Sequence, residues 1–292
     1  MIRIDRFKTA LFISMTTFFL LFSCATAISA EKYVLFILDT SASMYGEKLL
    51  MAKRLMLQTL KNKPHNTEIA LRIFNQKTKN YDEGCKDSML ALDFDDYNIS
   101  SVKKKLDVIN ASGPTPLDKT LDESISDFFN NGKPREIILI TDGDDTCGGD
   151  PCSRASDIRK YYGININVIA VDVEKPYRNK LLCVSEKSGG RFFDVKDQAG
   201  LYKATYDLLS LPTSPLIVTL KNKKGELVFG NITITDEFGD VVAETTQPLR
   251  EYSPTLPVGN YSVSAVTNDG EEKYLTGISL SANTPAEITI VF

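Results

Sequence analysis

The 292-residue sequence has no tryptophan and only one histidine, His65. Histidine is the usual proton shuttle near neutral pH and a frequent metal ligand, and the lone copy sits in the turn Lys63-Pro64-His65-Asn66. A solvated loop residue fits that setting better than a catalytic base. The chain also lacks a Gly-x-Ser-x-Gly elbow, a His-Glu-x-x-His pair and a phosphate-cradling glycine loop. No basic run is present, and 34 Lys+Arg against 38 Asp+Glu give a net charge of −4. The electrostatic footprint of a nucleic-acid binder is therefore missing. A hydrophobic fraction of 42% is ordinary for a globular protein, and the length allows two domains.

The first 30 residues differ from the rest. Arg3, Arg6 and Lys8 precede Leu11-Phe12-Ile13 and Phe18-Phe19-Leu20-Leu21-Phe22, and small residues follow up to Ala30. This is the layout of a secretory signal, with an apolar stretch too short and too interrupted for a membrane span. Ile28-Ser29-Ala30 and Ala25-Thr26-Ala27 are competing candidate cleavage sites, whereas Leu21-Phe22-Ser23-Cys24 resembles a lipoprotein box with a bulky Phe22. A soluble periplasmic or secreted product is the favoured expectation. Membrane attachment enters only if Cys24 is lipidated. Removing Cys24 leaves Cys85, Cys147, Cys152 and Cys183, an even set that an oxidising compartment would pair in one of three ways.

From residue 33 to about 210 candidate strands (33–38, 68–74, 88–94, 136–141, 164–171, 191–194) alternate with candidate helices (46–61, 97–109, 116–130, 153–162, 177–188, 197–209). The runs at 33–38, 136–141 and 164–171 are almost continuously apolar, as in a parallel sheet covered on both faces. The pattern predicts a doubly wound, mostly parallel α/β fold with 88–94 as an antiparallel edge strand. Ligands of such sheets bind at the carboxyl ends of the strands.

Three segments with oxygen-bearing side chains fall at those ends. Asp39-Thr40-Ser41-Ala42-Ser43 follows the first apolar strand, offering one carboxylate and two hydroxyls at alternate positions. Ser112-Gly113-Pro114-Thr115-Pro116-Leu117 presents a threonine at a tight turn before a helix, with Pro116 suited to the first helical position. Glu136-Ile137-Ile138-Leu139-Ile140-Thr141-Asp142-Gly143 ends a second buried strand in a carboxylate. Short oxygen donors of this kind suit a hard cation, although a Ser-rich acidic turn capping a helix uses the same residues.

Together the three segments, over about residues 31–210, resemble the von Willebrand factor A domain and its metal-ion-dependent adhesion site. The resemblance implies a Rossmann-like sheet and a cation, Mg²⁺ with Mn²⁺ or Ca²⁺ as alternatives. Its ligands would be Asp39, Ser41, Ser43, Thr115 and Asp142. It implies a non-enzymatic, cation-dependent protein-binding module whose partner supplies an Asp or Glu carboxylate. The rival is a magnesium-dependent phosphoester hydrolase using Asp39 and Asp142, for which the motif loop offers hydroxyls rather than a nucleophile with a phosphate-binding cation. The segment Cys147 to Cys152 after Thr-Asp-Gly, with Cys85 and Cys183, is similar to the exported bacterial branch of this family. The placement the resemblance implies for these cysteines, on the site-bearing side of the sheet, favours Cys85–Cys147 and Cys152–Cys183. Neither a Cys-x-x-Cys pair nor a nearby histidine supports zinc. Asp144, Asp145 and Asp150 read as a solvated acidic turn rather than a second cation site.

Leu211-Pro212-Thr213-Ser214-Pro215 ends the helical alternation and reads as a linker with few contacts crossing it. Short β-type runs follow at 216–220, 232–235, 241–243, 261–266, 274–280 and 288–292, predicting a small antiparallel all-β sandwich. Leu256-Pro257-Val258-Gly259-Asn260-Tyr261 resembles the hairpin of carboxypeptidase-regulatory or transthyretin-like sandwiches. The expected organisation is thus a signal peptide (1–30), an A-type domain (31–212) and a β-sandwich (213–292).

Overall fold

The computed structural model describes residues 32–77, 80–95 and 98–292. The expected signal segment with Cys24 lies outside the described residues. Six strands, β1 (Lys32–Leu38), β2 (Thr67–Phe74), β3 (Ser88–Leu92), β4 (Arg135–Thr141), β5 (Asn165–Val171) and β6 (Phe192–Val195), form one sheet ordered β3-β2-β1-β4-β5-β6. All neighbours run parallel except β2 and β3. A short helix, α2 (Tyr81–Gly84), precedes β3, and helices α1 (Glu47–Asn62), α3 (Ile99–Asp107) and α7 (Gln198–Leu209) cover one face, packing on Val34, Phe36 and Leu38. Helices α4 (Leu117–Ser124), α5 (Pro151–Tyr162) and α6 (Lys175–Ser188) cover the other, on Tyr33, Leu35 and Ile37. A strand that is apolar without alternation is thereby buried on both sides.

The strand order reverses between β1 and β4, where one strand feeds a helix on the first face and the next feeds a helix on the second. That divergence opens a crevice at their carboxyl ends, from which Asp39 and Asp142 emerge. The helix expected over 116–130 is shorter than its periodicity suggests. A 3₁₀ turn at Ile125–Asp127 ends it, and Phe128 turns extended so that it and Phe129 join Tyr33 and Phe94 in an aromatic cluster. Pro116 stands at the N-cap of α4, one residue earlier than expected.

Eight strands follow: β7 (Thr213–Lys221), β8 (Gly230–Asp236), β9 (Val241–Glu244), β10 (Glu251–Tyr252), β11 (Thr255–Pro257), β12 (Gly259–Thr267), β13 (Glu272–Leu280) and β14 (Ala286–Val291). One sheet, β13-β12-β8-β9, is antiparallel throughout. The other is built on β7, which pairs antiparallel with β10 and β11 and parallel with β14. The last strand therefore departs from the fully antiparallel expectation. Leu216, Val218 and Leu220 of β7 are buried at alternate positions, as are Ile232 and Ile234 of β8.

The expected linker is largely structure. Helix α7 ends at Leu209 and β7 begins at Thr213. Contacts cross the boundary in number. The Tyr202 hydroxyl donates to Asp236 Oδ2 at 3.0 Å, Lys61 reaches Glu237 at 2.6 Å, Arg54 pairs with Asp240, and Asn62 Nδ2 donates to the Val258 carbonyl at 3.3 Å. Arg54 and Lys61 both lie over the Phe238 ring. The apolar core runs without a break from α1 and α7 into β7, β8 and β12. The sequence basis is in the helices: the second half of α1 buries Leu55, Met56, Leu57 and Leu60, and α7 buries Leu201, Tyr202, Tyr206, Leu208 and Leu209, runs too continuous to be covered from one side.

Candidate metal centre

The first loop is fixed before it reaches solvent. Asp39 N–H continues the ladder to the Ile140 carbonyl at 2.9 Å, and Thr40, fully buried, bonds the end of β2 through its hydroxyl, donating to Phe74 O at 2.6 Å. Ala42–Met44 form a 3₁₀ turn anchored by Met44, which is 0% exposed. Gly46 then turns the chain at φ 87°, a left-handed value that disfavours any side chain, and α1 starts. The second loop is stitched to the first, with Ala42 N–H on Gly113 O at 3.1 Å and Ser112 N–H on Thr40 O at 2.9 Å.

Of the five expected ligands, four meet through direct bonds. Asp39 Oδ1 accepts Ser41 N–H at 2.8 Å, and the Ser41 and Ser43 hydroxyl oxygens lie 3.0 Å apart. Ser43 donates to Asp142 Oδ1 at 2.7 Å. Thr115 is buried at the same mouth and lines one cavity of about 470 Å³ with Ser43 and Asp142. Octahedral Mg²⁺ with oxygens at 2.0–2.1 Å has ligand–ligand edges of ~2.9 Å. The Ser41–Ser43 and Ser43–Asp142 separations bracket that edge, so the donors fit such an ion. Burial pushes the Asp39 carboxyl up to about 6, against the opposing pull of its hydrogen bonds from Ser41 and Thr141.

Two participants escape a reading of the sequence. Thr141, fully buried, donates to Asp39 Oδ2 at 2.5 Å and so orients the carboxylate from β4. Its place in Thr-Asp-Gly was the available signal. Lys48, in the first turn of α1, donates to Asp142 Oδ2 at 2.8 Å. At that position a lysine reads as one more solvated helix residue.

The loop after Asp142 is held covalently and by its own carboxylates. Disulfides join Cys85 to Cys147 and Cys152 to Cys183, each with Cα atoms 5.5 Å apart. Thr146 beside Cys147 accepts the Thr115 N–H on its hydroxyl at 2.8 Å, and its own N–H reaches Thr115 O at 3.0 Å. Asp145 accepts N–H groups from Asp118, Cys147 and Gly149, Asp150 caps α5 through Ser153 N–H, and Asp144 pairs with Lys180. These three carboxylates are engaged in holding the turn. Among the described residues no group of three or more His, Cys, Asp or Glu is placed to hold a metal. The candidate centre is correspondingly rich in hydroxyls, with two carboxylates. His65 is exposed just before β2, at the end of the sheet opposite the mouth.

Comparison with known proteins gives the following. The von Willebrand factor type A domain family matches residues 32–192. The protein YwmC of Bacillus subtilis (strain 168) is 29% identical over 189 residues, covering 61% of this chain and 83% of its own. Among solved structures, the pilus adhesin SpaC from Lactobacillus rhamnosus GG superposes with a TM-score of 0.51 at 9% identity, over 82% of this chain and 54% of SpaC. Proximal thread matrix protein 1 from the mussel byssus gives 0.50 at 19% identity, over 63% and 47%. At these identities the two structures share the fold with this chain.

Proposed function

The chain belongs to the von Willebrand factor type A domain family, and we propose that it is an exported, cation-dependent protein-binding module rather than an enzyme. The observation that carries this reading is the convergence of Ser41, Ser43 and Asp142 oxygens at the spacing of an octahedral edge, over the buried carboxylate of Asp39. Domains of this family typically hold a divalent metal at such a site. Ser41 and Ser43 would ligate directly, Asp39 and Asp142 directly or through water, and Thr115 on occupancy. Hydroxyl donors leave the charge of a hard ion, Mg²⁺ by preference, uncancelled, and a partner's Asp or Glu would take the open position. The sharing of this fold with an adhesin and a matrix protein is in keeping with an interaction role. The two disulfides fit an oxidising compartment outside the cytoplasm. The C-terminal sheets serve as a contact module, a role in line with the sequence resemblance of the stretch from Leu256 to Tyr261 to the hairpin of transthyretin-like sandwiches.

Magnesium should raise the thermal midpoint of the wild type, by an increment equivalent to about 2.7 kcal/mol at one hundred times the dissociation constant. Asp39→Ala, or Ser41→Ala with Ser43→Ala, should abolish the increment while the protein stays folded. An equal magnesium response in wild type and variants would sink the proposal.

One observation favours the phosphoester hydrolase as a second reading. Lys48 supplies beside Asp142 the phosphate-binding cation that the motif loop lacks. Magnesium-dependent turnover of p-nitrophenyl phosphate, lost in Asp39→Ala, would replace binding by hydrolysis. The described residues lining the mouth include no histidine, and the binding reading expects no turnover.

A further inference from the structure

Resting on the cation-dependent reading above, we propose that Lys48 is the specificity-determining residue of the mouth: it lowers the site's affinity for the cation and admits a single partner carboxylate on an otherwise basic or neutral surface. The two oxygens of Asp142 have different partners. One accepts from Ser43 and faces the converging donors, while the other accepts from Lys48 Nζ at 2.8 Å. The ammonium therefore stands one carboxylate's width from the place where a cation would be held. Its side chain is 28% exposed against 1% for Asp142, so it forms the outer layer of the site, with two further protons available to an approaching acceptor.

The charges decide what can approach. Asp39 and Asp142 bring two negative charges, Lys48 returns one, and a divalent ion makes the centre net positive by one. Without Lys48 the loaded centre would carry one positive charge less toward an approaching anion. Around it the cavity is lined by Asp144, whose charge Lys180 offsets, and by Asp145, Asp172 and Glu174, and Lys48 is the one basic residue among its described lining residues. Such a rim repels an acidic surface and favours basic flanks. The partner chemistry that fits is one Asp or Glu between Lys or Arg residues, its carboxylate shared between ion and Lys48. The same ammonium repels the ion, and at the dielectric of a solvent-exposed mouth that repulsion is worth about tenfold in cation affinity.

The experiment titrates wild type, Lys48→Met and Lys48→Arg with Mg²⁺ by calorimetry. The loaded proteins are then titrated with a synthetic peptide holding one aspartate between two lysines, and with its asparagine counterpart. Lys48→Met should bind Mg²⁺ about tenfold more tightly and the aspartate peptide at least tenfold more weakly, while Lys48→Arg stays near wild type in both. Unfolding in chelator checks that all three are folded. Unchanged or weakened Mg²⁺ binding in Lys48→Met, or an undiminished peptide affinity there, overturns the role of Lys48 and leaves the metal reading standing. A loaded wild type that binds both peptides alike overturns the partner assignment. A wild type that takes up no Mg²⁺ removes both.

Discussion

Replacing Tyr202 by Phe tests whether the two halves of the chain are one folding unit. Tyr202 on α7 and Asp236 at the end of β8 are each 4% exposed, and the phenol donates to Oδ2 at 3.0 Å. Oδ1 of the same carboxylate keeps the N–H groups of Phe238 and Asp240 at 2.9 and 3.0 Å. The variant retains the ring, so it opens no cavity and loses only the donor. A buried charged acceptor left with one oxygen unpaired costs about 2 kcal/mol. For a protein of this size that lowers the midpoint by about 4–8 °C.

The pH dependence has a definite sign. Burial already holds the Asp236 carboxyl above its usual range, and the Tyr202 donor is among the contacts that pull it down. A carboxyl raised in the native state binds protons there that the unfolded chain would release, so its contribution to stability falls as pH rises through the native value. Losing Tyr202 raises that value further. The deficit of Tyr202→Phe should thus be larger at pH 8 than at lower pH and shrink on acidification. Calorimetry of residues 31–292 in chelator, at pH 8 and pH 5, measures it. A single transition shifted as a whole supports one unit. A deficit under about 0.5 kcal/mol at pH 8, or one that grows on acidification, refutes the reasoning. Two transitions with only one displaced would show that the halves unfold separately, despite the core they share.

Two other outcomes follow from local geometry. A Cβ at Gly190 would lie 2.0 Å from the Ile166 carbonyl oxygen and 2.5 Å from its carbon, so Gly190→Ala should cost about 3 kcal/mol or more by denaturant titration. Cys147 adjoins Thr146, whose two hydrogen bonds hold Thr115 at the mouth. Removing that disulfide as Cys85→Ser with Cys147→Ser should therefore weaken Mg²⁺ severalfold in calorimetry, whereas unchanged affinity would show that Thr115 is held independently.

The central sheet was legible because its message is redundant. Tyr33 to Leu38 is apolar without alternation, which is the mark of two-sided cover, and the three oxygen-bearing loops each follow a strand or precede a helix. What escaped the sequence depends on pairing at a distance. Strands β10 and β11 are two and three residues long and carry no periodicity of their own. The parallel match of β14 to β7 is set by which edge the last strand can reach after β13 closes the opposite sheet. Pro212 and Pro215 signalled an interruption of the helix and were a poor guide to slack, since Pro215 sits within β7. Lys48 was invisible for a similar reason, because only the fold brings the first turn of α1 against the end of β4.

Helix α1 is the element both regions use, and it keeps them apart. Lys48 lies in its first turn at the mouth, whereas Arg54, Gln58, Lys61 and Asn62 meet the C-terminal half from the later turns. At 1.5 Å per residue, Lys48 is about 9 Å from Arg54 and about 20 Å from Lys61 along the axis. The mouth is secured by its own links: the ladder bond of Asp39, the hydroxyl of Thr40, the Thr115–Thr146 pair and the disulfides. None of these involves the C-terminal strands. Sites so separated, with no shared partner, contribute additively. Tyr202→Phe should accordingly lower stability while leaving the Mg²⁺ dissociation constant within about twofold of wild type, whereas Lys48→Met should change that constant and, by taking the donor from the buried Asp142 Oδ2, cost stability of its own. A large loss of Mg²⁺ affinity in Tyr202→Phe would mean that α1 or α7 transmits the docking of the C-terminal half to the mouth.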